Sequence, residues 1–289
     1  MAHCSTFSIV ARDPKTGDIA VCGASHWFAY ATVVPFIEAG VGAIATQAEC
    51  NVAYGPNGLE LLRKNTPVEQ VVKKLVEKDP RKDIRQLLVI DNKGNAAAHT
   101  GKKCVKFALD HMEKNFACGG NMLANQTVIP AMVSFYAKSN LPFVPRLIKT
   151  LQEGDKAGGD IRGKRSFGLL VAKGKGTGEF WNDTLYNLRV DDHKEPFKEL
   201  KRLYHIAKAY RYMERGDDAY FEEKNTQKAK EYYEKAYKLY PENPEIMFWY
   251  AKLLFDAGKE NESKQLLEKL SQIDVKWDEY WKRVLESEK

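Results

Sequence analysis

The sequence predicts an α+β domain over residues 1–197, built as a four-layer αββα sandwich, followed by an all-α helical-repeat domain over residues 198–289. Three observations carry this expectation. Short apolar runs are joined by turn chemistry into hairpins, and the hairpins alternate with pairs of amphipathic helices. Beyond about residue 197 the composition shifts to Lys, Glu, Ala and Tyr at helical spacing, and 10 of the 14 tyrosines follow residue 200.

Phe7 to Ala11 and Ile19 to Ala24 are apolar runs flanking the turn Pro14-Lys15-Thr16-Gly17, which predicts an N-terminal hairpin. Gly40 to Gln47 is mostly small and apolar, as a strand is when something packs closely on its backbone. After a loop at Tyr54–Gly58, Leu59, Leu61 and Leu62 belong to one helix. Val68, Val71, Val72, Leu75 and Val76 form the apolar face of another, with Thr66 as N-cap and Pro67 at the first helical position. Leu87 to Ile90 and Ala96 to Thr100 flank Asp91-Asn92-Lys93-Gly94 as a second hairpin. Residues 126–155 read as two helices broken near Leu141-Pro142. Ser166 to Ala172 is a buried strand that pairs, through a turn at Lys173–Gly178, with a strand at Tyr186 to Val190. Hairpins alternating with helix pairs suit two stacked sheets with helices outside better than a doubly wound parallel sheet, which needs single crossovers.

In the tail, Ala229, Tyr233, Ala236 and Pro241 resemble the second-helix and exit positions of a tetratricopeptide repeat. Met247, Tyr250, Ala251, Leu254 and Gly258 resemble the first helix and turn of the next. An earlier helix around Leu203 to Met213, an inserted loop near Asp217–Lys224 and a capping helix at Val275–Leu285 complete a count of two repeats and a cap.

The chain carries a net charge of +6. Residues 1–200 hold 27 Lys and Arg against 21 Asp and Glu, whereas residues 201–289 hold 18 of each. The excess is scattered and lacks interleaved aromatics, so nucleic-acid binding is not expected. No run approaches the ~18 apolar residues of a membrane span, and no signal-peptide core precedes the first strand, which points to a cytoplasmic protein without membrane attachment. The five cysteines form no CxxC pair and are read as reduced thiols. Asp191-Asp192-His193 alternate across a strand and cannot ligate one ion together, and Gly174, Gly176 and Gly178 lack the Lys-Ser/Thr of a phosphate loop. His99 with Cys104 lacks a third group to orient it. No metal and no cofactor are expected.

Several segments, taken in order, resemble the domain of unknown function 1028 family of bacteria and archaea. They are Thr6-Phe7-Ser8-Ile9-Val10-Ala11-Arg12-Asp13, Gly40 to Gln47, Asn51 with Tyr54-Gly55, Gly119-Gly120-Asn121, Ala157 to Gly163, and Leu188 to His193. That family is grouped with the N-terminal-nucleophile hydrolases, whose fold is the αββα sandwich. In those enzymes a Thr, Ser or Cys opening the first strand is the nucleophile and its own α-amine is the base. The resemblance implies that role for Thr6, with Cys4 and Ser5 as rivals. Free amines have a pKa near ~8, suited to proton abstraction at neutral pH. Removing Met1 exposes Ala2, so the mechanism requires a cleavage immediately before Thr6.

The Gly-flanked loop Asp160-Ile161-Arg162-Gly163-Lys164-Arg165-Ser166 resembles the Asp and Ser surrounding the nucleophile in proteasome-type relatives, with Arg165 where family members often carry Gln. Asp160 and Ser166 are thus expected to support Thr6, and Arg162 to bind an anionic group. His26 follows the second strand, and Asn51 and Asn121 are candidate amide donors to an oxyanion. The expected substrate is a small molecule or peptide with an amide-type bond. The alternative is a non-catalytic ligand- or protein-binding module that uses the tail to hold a protein partner; self-association is left open.

Overall fold

A computed structural model of the chain describes residues 3–4 and 6–287. The chain divides into two compact units, Met1–Lys201 and Arg202–Lys289. The first is a mixed α/β unit with two antiparallel sheets, and the second is helical.

The first sheet has the order β1 (His3–Cys4), β5 (Gly42–Glu49), β6 (Arg85–Asp91), β7 (Ala96–Thr100), with β4 (Pro35–Glu38) also pairing β5. The second sheet has the order β11 (Thr184–Val190), β10 (Ser166–Ala172), β3 (Ile19–Ser25), β2 (Thr6–Arg12), β9 (Phe116–Gly120), β8 (Leu109–Glu113). Its centre is the expected N-terminal hairpin, in register from Thr6↔Ser25 to Arg12↔Ile19. Gly17 closes the turn at a φ of 82° with its N–H on the Asp13 carbonyl at 2.8 Å.

Alternation along each strand sorts its side chains between two environments. Val10, Val21, Ala43, Ala45, Leu88, Ile90 and Ala117 come from both sheets and share one apolar cluster with Tyr30 and Val34, so the sheets pack on each other through this face. The opposite face of the first sheet, with Ile44, Leu87 and Val89, packs under α1 (Tyr54–Arg63) and α2 (Val68–Glu77). The second sheet packs likewise against α3 (Val128–Lys138) and α4 (Phe143–Lys156), for example through the Phe116 and Tyr136 rings, 4.7 Å apart.

Two local expectations in this unit are corrected, and unforeseen elements appear. Tyr54–Gly58 is the first turns of α1 rather than a loop; its glycines allow close approach to the sheet, since a Cβ on Gly55 or Gly58 would sit 2.2 Å from the Phe36 ring or 2.3 Å from Ile44 Cδ1. Pro67 is itself the N-cap of α2, at ψ 141°, and its carbonyl accepts the first helical hydrogen bond from Val71 N, while the Thr66 side chain makes no cap. The hairpin β8–β9 was not foreseen: its outer strand is polar and exposed, and Phe116-Ala117-Cys118-Gly119-Gly120 reads locally as a glycine-rich connection. The short α5 (Phe180–Asp183) stands between the Gly174–Gly178 turn and β11.

From α6 (Pro196–Asp217) the chain is helical. The expected loop after it is instead a π-helical turn, Asp218–Glu222. Then follow α7 (Thr226–Leu239), α8 (Pro244–Asp256), α9 (Glu260–Ile273) and α10 (Lys276–Ser287), each packing on the one before. Asn225 and Asn243 cap α7 and α8 by accepting from Lys228 N and Ile246 N at 3.0 and 2.9 Å. The repeat positions Ala229, Tyr233, Ala236, Met247, Tyr250, Ala251 and Leu254 are all buried. Among the described residues no helix is long and apolar enough to cross a membrane.

Gly23 shows how tightly the space between the sheets is filled. A Cβ there would lie 2.2 Å from the Tyr30 hydroxyl and 2.6 Å from Ser8 Oγ. Gly23→Ala is expected to cost about 1–3 kcal/mol through overpacking, read as a lower urea midpoint at unchanged m; wild-type stability would contradict this placement of Tyr30.

Candidate functional site

Between the sheets, the second sheet's inward face changes character along the strands. Val10 and Val21 are apolar; one pleat further on stand Ser8, Gly23 and Gly168; at the end stand Thr6, Ser25 and Ser166. Thr6↔Ser25 and Ser25↔Ser166 are register pairs, and residues directly opposite project to the same face. Asn121 extends this row on the other side of Thr6, following the Phe7↔Gly120 pair, and its N–H donates to the Thr6 carbonyl at 3.0 Å. Thr6, Ser25 and Ser166 are 0% exposed and Asn121 is 1% exposed.

The first sheet answers with two glutamines. Ser8 Oγ donates to Gln47 Oε1 at 2.7 Å, and Gln47 Nε2 donates to Gln86 Oε1 at 2.8 Å. Asn121 Nδ2 donates to the same Gln86 oxygen at 3.0 Å. Gln86 Nε2 then reaches Thr100 Oγ1 and the carbonyls of Leu109 and Gly120 at 2.8–3.1 Å. The Tyr30 hydroxyl joins the other end, 3.0 Å from Ser8 Oγ. Each of these groups would cost roughly 1–3 kcal/mol if buried without a partner, so the chain of bonds is what makes a polar row tolerable between two sheets.

The predicted site residues divide into two sets. Thr6, Ser166 and Asn121 share the row, and Asp160 lies beside it. Asp160 is 4% exposed; its carboxylate accepts from the backbone N–H of His26 at 3.4 Å and from that of Arg162 at 2.9 Å, and from Arg162 Nε and Nη2 at 3.1 and 2.9 Å. It therefore ties the 160–165 loop to the end of β3. Ser166 Oγ donates to the Trp27 carbonyl at 2.5 Å and accepts from Tyr30 N at 3.3 Å, holding the 26–30 turn over the row. Ser25 Oγ accepts from Trp27 N at 2.9 Å and pins the same turn.

Three expectations change. The Arg162 guanidinium is committed to Asp160 and neutralises a carboxylate buried at the sheet end, rather than awaiting an anion. His26 reaches this end through its main chain, and its imidazole is on the exposed side of the turn. Asn51 turns away from the row altogether: its amide donates to Asp79 at 3.0 Å. Of the rival nucleophiles, Ser5 and the side chain of Cys4 lie outside the described residues. His99 and Cys104 do not meet, each ring nitrogen or thiol being held by a backbone carbonyl, of Lys82 and Arg85 respectively. Asp191 and Asp192 pair with Arg189 and Arg165.

Ser8, Ser25, Gln47, Gln86 and Tyr30 were missed as site residues. For the two serines and two glutamines the one signal in the sequence is a polar side chain in an otherwise apolar strand; Tyr30, in the turn after β3, carries none.

A second polar cluster lies on the helix side of the first sheet. Asp79 accepts from Tyr54 Oη and Arg85 Nε, both at 2.9 Å, from Asn51, and from Arg81 N at 2.8 Å, beside a 410 Å³ cavity between α1 and α2. Burial by itself would raise the Asp79 pKa; the four donors outweigh it and bring it down to about 2.

These features define a mixed α/β unit whose hydroxyls and amides gather at one end of two packed antiparallel sheets, carried with a helical unit. The chain belongs to the family of unknown function DUF1028, whose model matches residues 6–200, and a tetratricopeptide repeat model matches residues 220–286. Among solved structures it is similar to a protein of that family from Silicibacter pomeroyi, with 30% identity and a TM-score of 0.64 over 70% of this chain and 89% of that one. A weaker similarity is to Anbu, an ancestral beta-subunit from Yersinia bercovieri, with 9% identity and a TM-score of 0.36 over 68% of this chain and 92% of that one. Comparison with curated proteins gives no match.

The Asp79 cluster makes a pH prediction. A carboxyl near 4 in the unfolded chain and at about 2 when folded contributes stability that is complete above about pH 4 and lost as pH falls towards 2. Asp79→Asn is expected to remove that part of the acid dependence, seen by comparing urea midpoints at pH 5 and pH 2.5. An unchanged difference between the two pH values would show that other carboxylates govern it.

Proposed function

We propose that residues 1–197 form a four-layer αββα sandwich of the N-terminal-nucleophile type, and that the chain is the precursor of a hydrolase acting on an amide or peptide-like bond. The observation that carries this reading is the position of Thr6. It opens a central strand of the second sheet, faces the first sheet, and stands in one row with Ser25, Ser166 and Asn121.

The segment ahead of Thr6 also supports it. His3 and Cys4 pair with Glu49 and Ala48 of the first sheet, whereas Thr6 opens a strand of the second. Cleavage of the Ser5–Thr6 bond would detach a two-residue edge strand and free an α-amine at the sheet end. That amine takes the proton from Thr6 Oγ as the oxygen bonds to the substrate carbonyl carbon. The ammonium then protonates the departing amine as the C–N bond breaks, leaving an ester on Thr6. Water, deprotonated by the same α-amine, hydrolyses the ester and restores the hydroxyl. In this scheme Ser166 and the Asp160–Arg162 pair hold the loops around the row, and Ser25 and Asn121 are polar neighbours of the reacting oxygen.

The complete burial of Thr6 favours a second reading, in which the first unit is a scaffold and the protein acts by binding. The two readings separate without knowledge of the substrate. A chain released from a cleavable leader so that Thr6 is residue one is expected to be acylated on the Thr6 peptide by a β-lactone probe, read by mass spectrometry. The uncleaved chain and a released Thr6→Ala chain are expected to stay unlabelled. A folded, released chain that takes up no label on Thr6 would eliminate the hydrolase.

A further inference from the structure

We propose that the cavity between the π-helical turn and α8 in the tail binds the ammonium head of a lysine side chain carried by a partner polypeptide. The cavity measures 410 Å³ and lies wholly within the second unit; its lining includes Tyr220, Phe221, Tyr233 and Trp249 together with Asp217 and Asp256. Four aromatic side chains line one small space, a setting that attracts an organic cation. Phe221 is 55% exposed, whereas Tyr233 is 3% exposed.

The charges select the sign of the ligand. Asp256 is already neutralised by Lys252, whose Nζ lies 2.7 and 2.6 Å from its two oxygens, and it also accepts from Tyr220 Oη at 3.1 Å. Asp217 receives the Tyr233 hydroxyl but has no cationic partner among the described residues. Of the lining side chains, two are acidic and one is basic, so the cavity carries one uncompensated negative charge. Burial, the largest influence on Asp217, raises its pKa, which is the mark of a carboxylate that a cation would relieve.

The backbone supports the same reading from a different direction. The π-helical turn Asp218–Glu222 extends α6 by one wide turn and brings Tyr220 and Phe221 to the cavity rim. Such turns are energetically poor and recur at functional positions.

The test uses the full chain and two capped tripeptides, acetyl-Gly-Lys-Gly-amide and its norleucine counterpart, titrated calorimetrically. Norleucine keeps the alkyl stem and removes the charge. The lysine peptide is expected to bind at least about tenfold more tightly than the norleucine peptide. Asp217→Asn is expected to remove that preference, with folding checked by circular dichroism. Phe221→Ala, at an exposed position that cannot endanger the core, is expected to weaken the lysine peptide several-fold. Equal binding of the two peptides would make the cavity merely apolar and overturn the proposal, as would an unaltered preference in Asp217→Asn or no heat from the lysine peptide at millimolar concentration.

Discussion

The hydrogen-bonded chain from Tyr30 through Ser8, Gln47 and Gln86 to Asn121 is the constraint on which the first unit depends. Two sheets can be stacked with apolar side chains alone, and at one end Val10, Val21, Leu88 and Ile90 do so. At the other end polar groups replace them, and Ser8, Asn121 and the Gly120 carbonyl bond across the gap to Gln47 and Gln86. Because Ser8 belongs to one sheet and both glutamines to the other, the bonds fix the register of sheet on sheet as well as satisfying the groups. A partly satisfied network would be worse than an apolar core.

That constraint explains why the residues around Thr6 are small or short. Gly23 and Gly168 clear room for the Tyr30 ring, and Ser25 and Ser166 spend their hydroxyls on the turn that covers the row. Asp160 with Arg162 closes the same end from outside as an ion pair in which three N–H groups of one residue meet one buried carboxylate. The loops at this end are thus held by bonds to the backbone, beside the row in which Thr6 stands.

The tail is built on a different principle. Ala229, Ala236 and Ala251 let paired helices approach, and tyrosines and tryptophans fill the intervening gaps, as with the Tyr233 and Tyr250 rings stacked 6.0 Å apart. Each helix contacts chiefly the next, so an interruption such as the π-helical turn is absorbed locally and its aromatic residues can be turned outward.

The sequence by itself determined the class of both units and most element positions, because hydrophobic period and turn residues act locally: the hairpin from Phe7 to Ala24, the strand Ser166 to Ala172 and the buried positions of the repeat were all legible. It also singled out Thr6, Asp160, Ser166 and Asn121, which the fold gathers at one end. Only the tertiary structure decided which groups those residues meet. Asn51 and Asn121 look alike in sequence, yet one amide serves Asp79 beneath α1 while the other joins the row between the sheets. Arg162 looked like an anion receptor and is the counter-charge of Asp160 two residues before it. The hairpin β8–β9 and the roles of Gln47 and Gln86 were illegible for the same reason: a polar side chain in a strand acquires its meaning from the partner that folding places opposite, and that partner is far away along the chain.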